Sequence, residues 1–431
     1  MIAVTDYFEK PELLQLILDE FKESHIGDER ELLFINQSNC SSRLPPPFRF
    51  SSATIGDSSV GKTNANLTVL NHFPDEWHLK MDSPSKPYLE KTLTDNEDCR
   101  ILFLKDTDGK ADPHLKNLLH ALVEDGYEFG KMDTATRFSS TKEGKIPRLV
   151  GNYCTTGSIY DEELQNRYCV VSIQGSPAKT VSINIKTKKF YSDPRQQIHI
   201  AKKKEDSWIK KSLLDLESFD VIAIPGVEMI EEQVEKPRSR RDLKRFLNLV
   251  CSIAWLYQKQ RETENIDGKK VLFAHPVDIY NAIKIGGPIF TQSYTQLDGR
   301  LRENYEKIQD LYGKKGSVYS IVDGGAVNWL QRIEIQHELG YKTANTVKNQ
   351  MQKLEDLGLI VQHKTKNMVY IRPVFAPKLP IKGTSFIKGT AEDNYNKIKG
   401  RLTGIYGADS GQVRGKTIQF NRSKIKLPSI K

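Results

Sequence analysis

The 431-residue sequence predicts an α/β fold: a parallel sheet covered by helices on both faces, then a small helical segment, then a helix-turn-helix with a hairpin. Three observations predict it. Short apolar runs alternate with amphipathic helical patterns through the first half of the chain. A glycine-rich turn, Gly56-Asp57-Ser58-Ser59-Val60-Gly61-Lys62-Thr63, stands between one such run and the helix that follows it. Helix, turn, helix and two basic strands succeed one another from Ala326 to Val374.

In order, Pro11 to Ser24 reads as an amphipathic helix with Leu13, Leu14, Leu16, Ile17, Leu18 and Phe21 on its apolar side. The polar, Pro-rich stretch Asn36 to Pro47 separates it from a strand over Phe48 to Ile55. A helix follows over Lys62 to His72. Strands are expected at His78 to Met81, Arg100 to Leu104, Arg148 to Tyr153 and Tyr168 to Gln174, with helices at Asp112 to Glu124 and Asp161 to Asn166. From Pro177 to about Trp208 the sequence is charged and reads as irregular. Lys210 to Glu217 and Asp242 to Arg261 read as helices, the second burying Phe246, Leu247, Leu249, Val250, Ile253, Ala254, Leu256 and Tyr257. Gly286-Gly287-Pro288 marks a boundary.

Composition sets limits. With 38% hydrophobic and 28% charged residues the chain reads as soluble and globular. Its longest apolar stretches, such as Ile101 to Leu104 and Val221 to Ile224, fall far short of the ~18 residues a membrane helix needs. The N-terminus has no basic-then-apolar leader. Five scattered cysteines, Cys40, Cys99, Cys154, Cys169 and Cys251, never fall in a C-x-x-C spacing, which argues against a disulfide framework and a zinc site. A reducing, cytoplasmic location is expected. From Phe375 onward twelve basic residues face three acidic ones, so this segment carries the whole formal excess of +9. Two readings of it stay open: a flexible solvated tail, or an added hold on phosphates beside a nucleic-acid-binding unit.

The glycine turn matches G-x-x-x-x-G-K-[ST], the phosphate-binding loop, in the strand-to-helix setting that the motif requires. Gly56 and Gly61 let the backbone approach an anion without a Cβ clash, and the amides from Asp57, Ser58, Ser59 and Val60 into the helix start point at it. Lys62 is expected to reach the β- and γ-phosphates of ATP, and the Thr63 hydroxyl to hold Mg²⁺. Such a site also needs an acid at a neighbouring strand end. Ile101-Leu102-Phe103-Leu104-Lys105-Asp106-Thr107-Asp108 supplies one, with Asp106 as the metal and water ligand and Asp108 in support. Lys105 stands where the first of two adjacent acids is usual, and a strand ending in a solvated turn is the alternative. Asn152, ending the strand after Arg148, is a candidate for positioning the attacking water. Arg167, ahead of the strand Tyr168 to Ser172, is a candidate to reach the γ-phosphate of a neighbouring subunit. Arg240 and Arg241 open the helix of a lid and are placed to contact phosphate in the same subunit. Each of these four has a plain alternative as a cap or surface charge.

In the second unit, Ala326 to Leu339 and Thr343 to Leu357 read as helices joined at Gly340-Tyr341, with Gly358 as cap. The strands Leu359 to Lys364 and Met368 to Pro373 flank a Lys364-Thr365-Lys366-Asn367 turn. This is the pattern of a winged helix-turn-helix. Thr343, Asn345, Thr346, Lys348, Asn349 and Lys353 are expected to enter the major groove of DNA, and Lys364 and Lys366 to meet phosphate or the minor groove. Such units also mediate protein contacts.

Taken together, several segments resemble the AAA+-like P-loop ATPases of plasmids, proviruses and phages that accompany, or are fused to, DNA primases. The matching segments are GDSSVGKT, HFPDEWHLKMDSPSK, RILFLKDTDG, RRDLKRFLNLVCSIAWLYQKQR and AHPVDIYNA, and the resemblance covers about Leu32 to Ile285. It implies a homo-oligomeric ring, a hexamer being the candidate size, that hydrolyses ATP and unwinds or loads on DNA in replication of a mobile element, with a primase or other replication protein as a partner. Residue by residue it supports Lys62, Thr63, Asp106, Asn152, Arg167 and Arg241. The chain departs from it at Lys105-Asp106, where such proteins usually carry a glutamate. No primase signature is visible. The expected organisation is an N-terminal helical segment (1–35), an ATPase core (36–207), a helical lid (208–287), a winged helix with a leading helix (288–374) and a basic tail (375–431). The expected function is that of a DNA-dependent ATPase, a helicase or translocase; the rivals are an ATP-switched initiator, loader or regulator, and a protein-binding scaffold.

Overall fold

A computed structural model describes residues 4–56, 59–82, 84–105, 113–132, 141–155, 167–173, 175–195, 198, 207–232, 239–295, 299–315, 318–321, 325–356, 359–364, 368–373, 386–406, 410–413 and 416–419. The chain forms two compact units, one of residues 1–290 with 386–431 and one of residues 291–385.

The first unit is built on a five-stranded parallel sheet. Its strands are β1 (Ser51–Ile55), β2 (His78–Met81), β3 (Ile101–Leu104), β6 (Val150–Thr155) and β7 (Tyr168–Ser172), in the order β2-β3-β6-β1-β7. The central strands are buried on both faces, which is why Ile101–Leu104 is a continuous apolar run rather than an alternating one. One face packs against helices α4 (Lys86–Asp95) and α5 (Pro113–Glu124), whose Leu89, Leu93, Leu118 and Leu122 meet Leu102, Leu104 and Tyr153. On the loop strand's other side lie α1 (Leu13–Ser24), α2 (Glu29–Cys40) and α3 (Lys62–Leu70). Between α5 and β6 the chain forms an antiparallel pair, β4 (Tyr127–Met132) with β5 (Thr141–Ile146), which the apolar pattern did not announce.

Several expectations are corrected in this unit. Residues Pro177–Ser192 form a regular helix, α6, not an irregular segment. Ser176 caps it, its hydroxyl accepting from the Lys179 amide at 3.1 Å, and Pro177 occupies the first turn. Helices α7 (Trp208–Leu214) and α8 (Ser239–Leu256) fall in the same compact unit as the parallel sheet. α8 packs along α2, with the Ser252 hydroxyl donating to the Gln37 carbonyl at 2.7 Å and Phe246, Leu249 and Ile253 fully buried. A small sheet, β8 (Val221–Ala223), β9 (Thr263–Ile266) and β10 (Lys269–Phe273), completes this side in the order β8-β10-β9.

Gly286-Gly287-Pro288 does not break the chain: helix α9 runs through it, Pro276–Thr295. A Cβ at Gly286 would stand 2.5 Å from a Leu249 methyl, so this glycine permits close packing of α9 on α8. Nor is the stretch after residue 385 a free tail in its first part. Phe386 and Ile387 are fully buried, Lys388 donates its amide to the Glu231 carbonyl, and a helix over Ala391–Tyr406 sets Ile398 against Gly226.

The second unit holds α10 (Gly299–Lys315), the hairpin β11 (Val318–Ile321) with β12 (Gly325–Asn328), β13 (Leu330–Gln331), α11 (Arg332–Glu338), α12 (Ala344–Asp356), β14 (Ile360–Lys364) and β15 (Val369–Pro373). The last three strands form an antiparallel sheet in the order β13-β15-β14. The first helix of the pair begins at Arg332, not at Ala326. Gln331 and Glu334 form a reciprocal cap there, and the residues before it are used as strand. Leu301, Tyr305, Leu330, Ile335, Val347, Met351, Leu354 and Ile371 make its core. Among the described residues, no helix is long and apolar enough to cross a membrane.

Candidate nucleotide site

β1 ends at Ile55 and α3 starts at Lys62, so the glycine turn joins the C-terminal end of a central strand to a helix N-terminus. Local chemistry explains the bend. A Cβ on Gly56 would stand 2.3 Å from the Ile173 carbonyl oxygen, and Gly61 sits at φ 103°, where only glycine is comfortable. Asn66 ties α3 to the strand below, its amide donating to Thr54 Oγ1 at 2.9 Å and to the Lys62 carbonyl at 3.0 Å. Lys62 is buried, and its ammonium donates to the Gly56 carbonyl at 3.0 Å across the loop. Thr63 follows it, half-buried in the first turn of α3. Asp57 and Ser58 lie outside the described residues; Ser59 takes φ 66° and Val60 leads into Gly61. These donors fit a polyphosphate: a backbone cradle that a Cβ would fill, a cation held over it, and a helix N-terminus.

Register places the other candidates. Ile55 pairs with Thr155 and with Ser172, so the C-terminal ends of β6 and β7 share the loop's level. β3 ends at the same side, Leu104 pairing with Tyr153, and its next residue, Lys105, is bound to Asp82 at 2.9 Å. Asp106 and Asp108 lie outside the described residues. Asn152 is placed elsewhere. It pairs with Ser52, three residues before Ile55, and so sits about 10 Å below the loop at ~3.3 Å per residue. Its side chain is buried and engaged, accepting from Ser52 Oγ at 2.6 Å and donating to Asn39 Oδ1 at 2.5 Å. That network fixes α2 on the sheet and leaves Asn152 away from an attacking water. Thr155, almost fully buried beside Ile55, holds the position sequence reasoning gave to Asn152.

Arg167 and Arg241 lie toward the opposite end of the sheet. Arg167 directly precedes Tyr168, which pairs with Ser51 at the start of β1, and its guanidinium is ion-paired with Glu124 at the end of α5. It cannot reach the loop of its own chain. Arg241 is exposed in the first turn of α8. Asn248, two turns later, donates to the carbonyls of Pro47 and Arg49, which precede β1. The helix therefore starts away from the loop, which corrects the expectation of a phosphate contact by Arg241, and equally by Arg240, within one chain. Burial and the neighbouring Arg100, Arg148 and Arg43 lower the Arg49 guanidinium to about 10 at that end.

Sequence reasoning also missed a group of side chains against the loop's outer wall, from α1, the α1–α2 turn, α3 and α6. The Lys179 ammonium is ion-paired with Asp28 and lies 3.4 Å from the Val60 carbonyl. Asp28 accepts from His25 Nε2 at 2.6 Å, and His25 Nδ1 stands 2.9 Å from Asn64 Nδ2. Burial pushes the nearby Glu31 carboxyl up, and Asp28 adds to that.

Residues 2–215 match a family model described as the MTBMA_p00010 P-loop domain. The first half of the chain is a P-loop NTPase domain. No curated protein matches the chain. The matched residues take in the glycine loop, all five strands of the parallel sheet, α6 and the short helix α7, after which they end.

In the second unit Thr343, Asn345, Lys348, Asn349 and Lys364 are exposed, while Thr346 and Lys353 are half-buried. Thr343 caps α12, its hydroxyl 2.7 Å from that of Thr346. Val347, Met351 and Leu354 take the opposite side of the helix into the core. Lys366, Gly358 and the turn between β14 and β15 lie outside the described residues.

Proposed function

We propose that the chain is a DNA-dependent ATPase of the AAA+-like kind, working as a homo-oligomeric ring as a helicase or translocase in replication of a mobile element. The observation that carries this reading is the union, in one chain, of a P-loop domain with a helix-turn-helix whose second helix turns its polar side outward. The strand order supports it, since β6 stands between the loop strand and β3, the strand that Asp106 follows in sequence. The loop amides, Lys62 and Thr63 would hold ATP with Mg²⁺, with Asp106 and Asp108 as the acids expected on the metal side. When bound, the metal would supply charge neutralisation at the transferring phosphoryl group. Lys62 orients the β- and γ-phosphates, and Thr155 orients water at the strand end. Arg167, unable to reach its own loop, serves a neighbouring subunit's. Sheet order β13-β15-β14 beside two helices in the second unit supports the winged-helix reading. Thr343, Asn345, Lys348 and Asn349 face base edges, with Thr346 and Lys353 flanking them, and Lys364 and Lys366 meet phosphate.

A second reading, an ATP-switched initiator or loader, draws on the Lys105–Asp82 pair at the strand end where an acid is usual. Steady-state hydrolysis with and without DNA separates the two. The motor reading expects DNA to raise turnover severalfold, all of it lost in Lys62→Ala. Tight ATP binding with no turnover on DNA overturns it in favour of the switch. DNA affinity that does not fall steeply with salt would remove the DNA-binding assignment.

A further inference from the structure

The loop is braced from outside by a charge-neutral chain of side chains drawn from three separate parts of the fold. Gly27 and Asp28 both take left-handed backbone, φ 74° and 56°, in the turn between α1 and α2. Asp28 carries a strain there that glycine would not, and the turn aims its carboxylate at Lys179 of α6 and at His25, the residue that follows α1. Asn64 Nδ2 can only donate. It faces both His25 Nδ1 and the Ser24 carbonyl, so the His25 proton sits on Nε2 and points at Asp28. The chain Lys179–Asp28–His25–Asn64 therefore runs as one donor–acceptor relay and ends two residues after Lys62. Its other end returns to the loop, where Lys179 approaches the Val60 carbonyl. The fit is close: a Cβ on Gly61 would stand 3.5 Å from His25 Cε1, and one on Gly27 3.8 Å from Lys179 Cε.

We infer that Lys179 and Asp28 are positioning residues for the nucleotide, Lys179 cancelling the Asp28 carboxylate beside the anion site while Asp28, through His25 and Asn64, fixes the start of α3. The carboxylate supplies rigidity at the cost of a negative charge near the phosphates, and Lys179 removes that cost. This rests on the nucleotide-binding reading above.

The test is titration of a fluorescent ATP analogue, and of the matching ADP analogue, into the full chain, with melting temperature recorded for every variant. Wild type must bind and Lys62→Ala must bind much more weakly; failure there overturns the nucleotide reading itself and this inference with it. Given wild-type binding, Lys179→Met is expected to weaken ATP about tenfold, through one uncompensated charge near the site, and ADP less. Lys179→Met with Asp28→Asn is expected to return ATP affinity to within about threefold of wild type, and Lys179→Arg to retain it. Lys179→Met binding ATP as wild type does, or a double variant as weak as the single one at equal melting temperature, overturns the inference. Should Lys179→Met not fold, Asp28→Asn alone decides. It is expected to keep or tighten ATP affinity while lowering the melting temperature; a severalfold loss of affinity refutes the charge argument.

Discussion

The two ends of the five-stranded sheet do different work although both are rich in polar side chains. At the C-terminal end the backbone itself is specialised: Gly56 and Gly61 bend it, Lys62 spans it, and Thr155 and Lys105 close the neighbouring strand ends. At the other end the backbone is ordinary and side chains satisfy it. The Arg49 guanidinium donates to the carbonyls of Leu44 and Arg148, and Arg148 donates back to the Arg49 carbonyl. Asn152 links Ser52 and Asn39 by hydrogen bonds between the two ends. At the lower end polar side chains tie the chain to itself; at the upper end they stand beside the phosphate-binding loop.

Four measurements break or sharpen that contrast. The largest effect is expected for Lys62→Ala, which should cut single-turnover hydrolysis about 10²- to 10³-fold, or about 3–4 kcal/mol, while the melting temperature stays near wild type. Asn152→Ala should do the reverse. Leaving Ser52 and Asn39 without their buried partner costs about 1–3 kcal/mol in denaturant unfolding, with ATP affinity within about twofold. If Asn152→Ala instead lowers turnover at unchanged stability, the assignment of ends is wrong. Thr155→Val should lower turnover about tenfold through its hydroxyl, with ATP binding and stability little changed. The smallest effect comes from acid. Burial, aided by Lys80, holds the His78 imidazole down at about 4, and His78 begins β2 at the end away from the loop. Its folded value lies below the unfolded one near 6.5. Stability is therefore complete above that value and drains away as pH falls toward 4, by about 1 kcal/mol per unit at most. His78→Asn should flatten that slope in pH-dependent melts.

Much of this was legible in the chain because the signals were local. The glycine loop, the apolar run Ile101–Leu104 and the two terminal strands Ile360–Lys364 and Val369–Pro373 announce themselves within a few residues. What escaped was either disguised or non-local. Helix α6 carries Val181, Ile183 and Ile185 in alternation with polar residues, a strand-like pattern on an exposed helix. Its Ser176-Pro177 opening was the better signal. Asn152 was assigned to the right strand at the wrong height, because the level of a residue along a parallel sheet depends on register with a strand a hundred positions away. Arg241 failed for the same reason, since a helix pattern gives a face but not a direction across the sheet. The brace against the loop joins Asp28 to Lys179 across 151 positions, and no spacing rule foretells it.

The rings of Phe290 and Phe386, which flank the second unit in sequence, lie with their centres 6.0 Å apart in the buried core of the first. Topologically residues 291–385 are thus an insertion in the P-loop unit, which the chain leaves and re-enters at one seam. Cutting the chain from its C-terminal side would strip Phe386, Ile387 and Ile398 from that body along with the insertion. Looping the insertion out with a short splice at the seam would not. The same architecture lets one inserted unit be exchanged for another without rebuilding the body that carries it.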